Sequence, residues 1–206
     1  MNAAEYFTIA REGLVNAGST TIDATLAGRG YNNGIDFNWY DASVRKGTQQ
    51  QYNLSLEGGN EKTTFFLSGG HFIQEGTTIN SKMNRTNGSM RITHKPINRL
   101  TVNANINAGF VNQKAPLAGG AFGNPVLSCY FQVPSRSAYN ADGSYNLTSL
   151  GGLHNTIALT EIDKRLLRET SLRGSVSAEY GILENLKFKT SYGTDYSILE
   201  EDQYNN

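Results

Sequence analysis

Apolar and polar residues alternate along much of this chain, and this period of two predicts β-strands. The clearest run extends from Leu100 to Phe110, with apolar residues at even positions and Thr, Asn or Gly at odd ones. Its eleven residues are about twice the usual strand length of about 5–6. Five further strands are predicted on the same basis, at 51–58, 63–74, 86–95, 170–180 and 186–196.

The strands divide the chain into four predicted segments. Residues 1–48 form a loop segment with a short helix, and residues 49–112 carry four strands. Residues 113–169 form a long loop, and residues 170–206 carry two strands and the start of the next loop. The expected fold is therefore all-β, an antiparallel meander of about six long strands.

Short and long connections follow each other in turn along the predicted meander. The turns at 59–62, 96–99 and 181–185 are short, whereas the connections at 75–85 and 113–169 are long. In an up-and-down sheet, all the short turns lie at one end and all the long loops at the other. This asymmetry is typical of outer-membrane barrels, whose strands need about 9–11 residues to cross the hydrocarbon layer.

The two faces of the strands differ in chemistry. Aromatic residues near both strand ends suggest the two membrane-interface girdles of a barrel, and the polar residues of the other face suit a watery lumen. The predicted girdle residues are Tyr52, Phe110, Tyr180, Phe188 and Tyr196, and the predicted lumen residues are Asn103, Asn105, Asn107, Lys187 and Lys189. A soluble β-sandwich also has one apolar and one polar face, so alternation alone leaves that alternative open.

Composition excludes several other classes of protein. Eighteen Lys and Arg balance 18 Asp and Glu without a basic cluster, which argues against binding nucleic acid. The single cysteine, Cys129, allows no internal disulfide and is expected to be a structural thiol. No catalytic motif or metal-ligand spacing occurs, so we predict no enzyme activity, no cofactor and no metal site. An acidic run, Glu200–Asp202, follows the last predicted strand and is expected on a solvated extracellular face at the start of the next loop.

Six strands are too few to close a membrane barrel. Known barrels begin at about 8 strands, and an open sheet in lipid would leave backbone groups unpaired at both edges. The sequence also shows no secretory signal at its start. We therefore expect the chain to be part of a longer protein.

One block of sequence carries a family resemblance. It is QYNLSLEGGNEKTTFFLSGG at 51–70, followed by Phe72 and Gln74-Glu75-Gly76, and preceded by Asn38-Trp39-Tyr40-Asp41. It resembles a barrel hairpin of the SusC/RagA family of TonB-linked outer-membrane proteins of Bacteroidetes. Weaker matches follow in order at 98–102, 139–145 and 179–193.

The resemblance implies an internal piece of a plugged, 22-stranded barrel in the outer membrane. Such proteins import oligosaccharides or peptides together with a SusD-like lid lipoprotein, and TonB supplies the energy. The signal peptide, TonB box, plug and closing strand of that family are missing from this sequence, so contact with TonB would require an N-terminal region that is not included.

Loop aromatics are the candidates for contact with a solute or partner, since rings provide stacking platforms and interface anchors. They are Trp39, Tyr40, Tyr130, Phe131, Tyr139 and Tyr145. The alternative is that these rings pack the loops against one another. A soluble all-β carbohydrate-binding surface module remains the second hypothesis for the whole chain.

Overall fold

The computed structural model describes residues 1–116, 124–148, 154–162 and 164–204. Parts of the predicted long loop, at 117–123, 149–153 and 163, lie outside the described residues. The helices are α1 (Ala3–Asn16), α2 (Ile22–Gly28), α3 (Trp39–Ser43), α4 (Pro125–Ser128) and α5 (Thr156–Ile162). None of the helices in the described part of the chain is long and apolar enough to cross a membrane.

The described strands form one antiparallel sheet in chain order, which confirms the predicted all-β meander. The strands are β1 (Thr48–Gly59), β2 (Thr63–Glu75), β3 (Lys82–Ile97), β4 (Leu100–Ala115), β5 (Lys164–Leu183) and β6 (Leu186–Tyr204). Each strand pairs with its neighbours in sequence. Within the described residues, β1 and β6 therefore pair on one side only.

The strands extend further than the alternation predicts, above all in β5 and β6. Residues 164–169, which were predicted to lie in the long loop, are the start of β5. The acidic run Glu200–Asp202 lies in β6 and not in a loop. Ion pairs join the extended ends: Arg165 Nε lies 2.6 Å from Glu201 Oε1, and Arg168 Nη1 lies 2.9 Å from Asp202 Oδ2. Opposite charges across neighbouring strands stabilise the pairing where the apolar alternation has ended.

The turn between β1 and β2 shows why this end of the sheet is tightly connected. The side-chain oxygen of Asn60 accepts hydrogen bonds from the backbone N–H groups of Lys62 and Thr63, each at 2.9 Å. Gly59 has a φ of +150°, and a Cβ there would lie 2.2 Å from the Thr63 carbonyl oxygen. Only glycine fits this position without moving the partner strand.

Strand register separates an apolar face from a polar face. One row across the apolar face, from β1 to β6, comprises Leu56, Leu67, Met90, Ile106, Gly174 and Thr194. The next row belongs to the polar face and comprises Glu57, Phe66, Arg91, Asn105, Ser175 and Gly193. The sequence of β2 left its faces ambiguous, and the register places Phe65 with the apolar face and Phe66 with the polar one.

The apolar face is exposed, and the main hydrophobic core lies elsewhere. Leu54 is 80% exposed and Tyr192 is 77% exposed, although both belong to the apolar face. The core cluster of buried residues is Trp39, Cys129, Ala138 and Ile157, and all four belong to segments outside the sheet. We call these segments (1–47, 76–81, and the described parts of 116–162) the head. A sheet with an exposed apolar face needs an apolar environment to cover it.

The β2–β3 connection (76–81), which continues directly from the strands, joins the rest of the head to the sheet. Arg45 Nε donates to the Gly76 carbonyl at 3.1 Å, and Arg45 Nη2 donates to the Ser81 carbonyl at 2.9 Å. Asn80 Nδ2, in the same connection, donates to Thr160 Oγ1 of α5 at 2.9 Å. These bonds place the head at the end of the sheet opposite the short turns.

Candidate functional site

The motif at 38–41 folds as the start of a helix that directs its tryptophan into the head. Asn38 Oδ1 accepts from the backbone N–H of Asp41 at 3.2 Å and so caps α3. Trp39 is only 3% exposed, and its Nε1 donates to the Val133 carbonyl at 3.2 Å. The ring of Phe37 packs edge-on against it, with centroids 5.1 Å apart. Trp39 therefore holds the head together and is not accessible to a solute.

Tyr139 and Tyr145 belong to a small hairpin on the surface of the core. The two residues form a β-bridge, and their rings lie 5.6 Å apart. The carboxylate of Asp142 accepts from the backbone N–H and the hydroxyl of Ser144, at 3.0 and 2.6 Å. These hydrogen bonds hold the pKa of the Asp142 carboxyl below its usual value. Tyr145 packs against the core, and its burial raises the pKa of its phenol.

Tyr40, Tyr130 and Phe131 remain accessible, and we call them the aromatic patch. Their exposed fractions are 47%, 70% and 53%. The rings of Tyr40 and Tyr130 lie 6.0 Å apart, although Tyr40 belongs to α3 and Tyr130 follows the end of α4. Of the six loop aromatics, these three and Tyr139, which is 42% exposed on the small hairpin, have the accessible surface that contact with a solute or partner would require.

The predicted lumen asparagines lie together on the polar face, and two of them, Asn103 and Asn105, belong to hydrogen-bonded rows that cross three strands. Thr93 Oγ1 donates to Asn103 Oδ1 at 2.7 Å, and Asn103 Nδ2 lies 3.5 Å from Ser177 Oγ. In the neighbouring row, Arg91 Nε donates to Asn105 Oδ1 at 3.0 Å. An amide can accept from one strand and donate to the next, which joins the strands side by side.

A cavity of about 380 Å³ lies along these rows. Its lining includes Phe66 and Arg91 beside the three asparagines Asn103, Asn105 and Asn107. Sequence reasoning missed Arg91 and Phe66 because their place depends on the register between β2, β3 and β4. The polar face of the sheet thus presents amide, guanidinium and aromatic groups to the cavity.

Lys187 and Lys189 also lie on the polar face, close to the turn between β5 and β6. Lys187 Nζ lies 2.9 Å from Glu179 Oε1, so a carboxylate balances its charge. Lys189 is the direct cross-strand partner of Glu179. Both lysines therefore face an acidic neighbour, which weakens the case for selection of an anionic solute at this point.

The predicted girdle residues all lie on the apolar face, with exposed fractions between 42% and 60%. Tyr180 and Phe188 are direct cross-strand partners beside a short turn. Tyr52 and Phe110 lie in one row toward the head, connected through His71 and Thr86, and Tyr196 lies close to that row. Their contact with lipid interfaces remains a prediction.

Potential metal ligands lie apart from one another in the described part of the chain. Among residues 1–116, 124–148, 154–162 and 164–204, no group of three or more His, Cys, Asp or Glu side chains could hold a metal ion. His71 and His94 contact the hydroxyls of Thr86 and Thr63, at 2.9 and 2.7 Å. These are cross-strand pairs between neighbouring strands of the sheet.

Cys129 offers a direct test of the packing of the head. Its thiol lies in the core cluster, and burial raises its pKa. Because the thiolate is the reactive form, we expect alkylation by N-ethylmaleimide at mildly alkaline pH to be at least about tenfold slower than in denaturant. Mass spectrometry of the peptide that contains Cys129 measures the labelling. Equal rates in the two conditions would contradict the buried position.

Comparison with known proteins adds relatives but no match to a family model. The chain is 29% identical over 163 residues to TonB-dependent receptor P3 of Formosa agariphila. It is 26% identical over 165 residues to TonB-dependent receptor P39 of the same organism. These alignments cover 75% and 80% of this chain but only 16% and 15% of the relatives. The chain thus spans about a sixth of their length.

Solved structures with the same fold include the RagAB peptide importer. In its closed-closed state the TM-score is 0.61 at 18% identity, over 80% of this chain and 19% of that one. In its open-open state the TM-score is again 0.61, at 17% identity. The named relatives and the shared fold confirm the predicted resemblance to TonB-linked outer-membrane proteins.

Proposed function

We propose that this chain, a homologue of TonB-dependent receptors of the SusC/RagA family in the outer membrane, forms part of the wall and outer loops of an importer. The observation that carries the proposal is the sheet with two different faces. Its apolar face leaves residues such as Leu54 and Tyr192 exposed, while its other face bears hydrogen-bonded asparagine rows. Such a sheet is suited to lie between lipid and a watery lumen.

The open edges of the sheet support a larger barrel. β1 and β6 each have a neighbour on one side only among the described strands. Unpaired backbone groups are very costly in hydrocarbon, so further strands must continue the sheet on both sides. A plugged barrel of about 22 strands fits this requirement.

The proposed solute is an oligosaccharide or a peptide, and the proposed partners are a SusD-like lid lipoprotein and TonB. TonB would act through a part of the receptor outside this sequence. The aromatic patch lies in the head, at the end of the sheet that carries the long connections, where a solute or a lid would approach from outside. The proposed role is transport without catalysis, which agrees with relatives named as receptors.

Nutrient uptake by the source bacterium tests this proposal. We expect a strain without the gene to lose growth on at least one oligosaccharide or peptide source, and the intact gene to restore it.

A Tyr130→Ala, Phe131→Ala double variant should reduce uptake about tenfold, since buried interface aromatics commonly contribute that much. Leu147→Ala, at another exposed head residue (62%), should have no effect.

Immunoblots of the outer-membrane fraction must show equal amounts of the wild-type and variant proteins. If the deletion strain grows normally on every oligosaccharide and peptide source, the proposed import function is wrong. If the double variant imports at the wild-type rate, the aromatic patch is not a contact surface for import.

A further inference from the structure

A second region of the head, whose lining includes no residue of the aromatic patch, contains a cavity of about 690 Å³. It lies between α1 and the turn at 30–36, and we call it the cleft. Its volume falls within the range of small-molecule sites, about 300–1,000 Å³. The cleft could not be predicted from the sequence, because α2 separates its two walls along the chain.

The turn that forms one wall is built from unusual backbone conformations. Gly30, Asn32 and Gly34 have φ values of +84°, +61° and +78°. Asn33 holds the turn in place, since its Nδ2 donates to the Ser135 carbonyl at 2.8 Å and its Oδ1 accepts from the Ile35 N–H at 3.0 Å. A non-glycine residue with positive φ is uncommon, and such residues cluster at functional sites.

The other wall orients an aromatic ring within the cleft. Phe7 of α1 packs edge-on against Tyr31, with ring centroids 5.1 Å apart. The guanidinium carbon of Arg11 lies 5.9 Å from the centroid of the same ring, and Arg11 also pairs with Asp23 at 2.8 Å. Although two side chains of α1 contact its ring, Tyr31 remains 43% exposed. A ring that is held in place but accessible is a preorganised stacking surface.

The polar groups beside this ring favour a ligand that carries hydroxyl groups and no negative charge, since the cation of Arg11 is already paired with Asp23. The lining holds one cationic and one acidic side chain, Arg11 and Asp36, together with the amide of Asn32. Asp36 Oδ1 already accepts from the Ala3 N–H at 2.8 Å, which leaves Oδ2 as an acceptor. Amide and carboxylate groups can both bond to hydroxyls, and the ring covers an apolar surface.

An extended peptide would find little to bind here. Peptides in extended form usually pair with the backbone of an exposed strand edge. In this turn the backbone N–H groups of Tyr31 and Asn33 donate to the carbonyls of Leu26 and Gly30, so they are already used. Recognition in the cleft is left to side chains.

We propose that the cleft binds one sugar unit of a neutral oligosaccharide, with the sugar ring against Tyr31 and its hydroxyls at Asn32 and Asp36. The inference rests on the proposed function, because it specifies the solute class of the importer. It also assigns sugar recognition to a region that contains none of the six aromatic residues predicted from the sequence.

Binding to the full-length receptor in detergent micelles tests the cleft. The probes are maltohexaose, cellohexaose, xylohexaose and mannohexaose, with hexaalanine as the peptide arm, measured by calorimetry. We expect at least one of the sugars to bind, Tyr31→Ala to weaken that binding at least about tenfold, and Tyr31→Phe to retain it. Asn32→Gly keeps the positive φ while removing the amide, so it should weaken binding without disturbing the turn.

Three results would each overturn the inference: no sugar binds, both Tyr31→Ala and Asn32→Gly bind sugar as the wild type does, or hexaalanine binds in a Tyr31-dependent way. Failure of the proposed import function can be distinguished from failure of the cleft proposal. A deletion strain without any uptake defect, combined with sugar binding that depends on Tyr31, would reject the importer and keep the cleft. An uptake defect in the deletion strain, combined with sugar binding that does not depend on Tyr31, would keep the importer and reject the cleft.

Discussion

Replacing Ile106 with arginine is expected to destabilise the folded receptor in a lipid bilayer by about 2–4 kcal/mol. Ile106 lies near the middle of β4, on the apolar face, between Met90 and Gly174 of the neighbouring strands. It is 41% exposed on that face. If the face meets lipid, a charge at this depth has neither water nor a counter-ion within reach. Folding in phospholipid vesicles, followed by denaturant titration, measures the loss.

Two matched variants separate the effect of lipid from the effect of the charge itself. Leu100→Arg places the same charge on the same face, but at the strand end beside a short turn, where the expected cost is only about 0–1 kcal/mol. Ser55→Arg places it on the polar face of β1, two residues from Glu57, where little change is expected. Equal stability of Ile106→Arg and Ser55→Arg would reject the assignment of the apolar face to lipid.

Replacing Trp39 with alanine is expected to reduce the stability of the head by about 3–5 kcal/mol. The substitution opens a cavity in a core cluster that includes Cys129, and it removes the hydrogen bond from the indole to Val133. Since the main core lies in the head, the sheet should still form. We therefore expect fast alkylation of Cys129 and rapid proteolysis of the head, with unchanged heat-modifiable migration of the barrel on gels.

Tyr40→Ala is the control for this prediction, because Tyr40 is the next residue in the same helix and is 47% exposed. A surface change of this kind usually alters stability by no more than about 0.5 kcal/mol. Cys129 should stay protected in Tyr40→Ala. Protection of Cys129 in Trp39→Ala as well would show that the head does not depend on the tryptophan.

Much of the sheet could be predicted from local patterns. The alternation from Leu100 to Phe110 gives both the strand and its faces, because successive side chains of a strand point to opposite sides. The glycine turn at Gly59 and the short connections set the order of the meander. The block at 51–70 also carried the family resemblance, which the relatives confirm.

Residues far away in sequence determine where the strands end. They also determine which aromatic residues are buried and which are exposed. β5 and β6 continue beyond their apolar alternation because Arg165 and Arg168 meet acidic residues of the opposite strand. Trp39 and Tyr40 are adjacent in the chain, yet one is buried and the other is exposed. A residue's own type does not reveal which of these outcomes applies, since burial is set by packing against segments such as the one containing Val133.

In the candidate sites, some features follow from the local sequence pattern and others only from the tertiary structure. Local alternation places Asn103, Asn105 and Asn107 on one face, because that property depends only on strand geometry. Their link to Arg91 requires the register between β3 and β4, and the cleft requires α1 to meet the turn around Tyr31. Periodicity is a property of neighbouring residues and can be seen in a sequence. Cavities and hydrogen-bonded rows arise between distant segments, so only the folded chain brings them together.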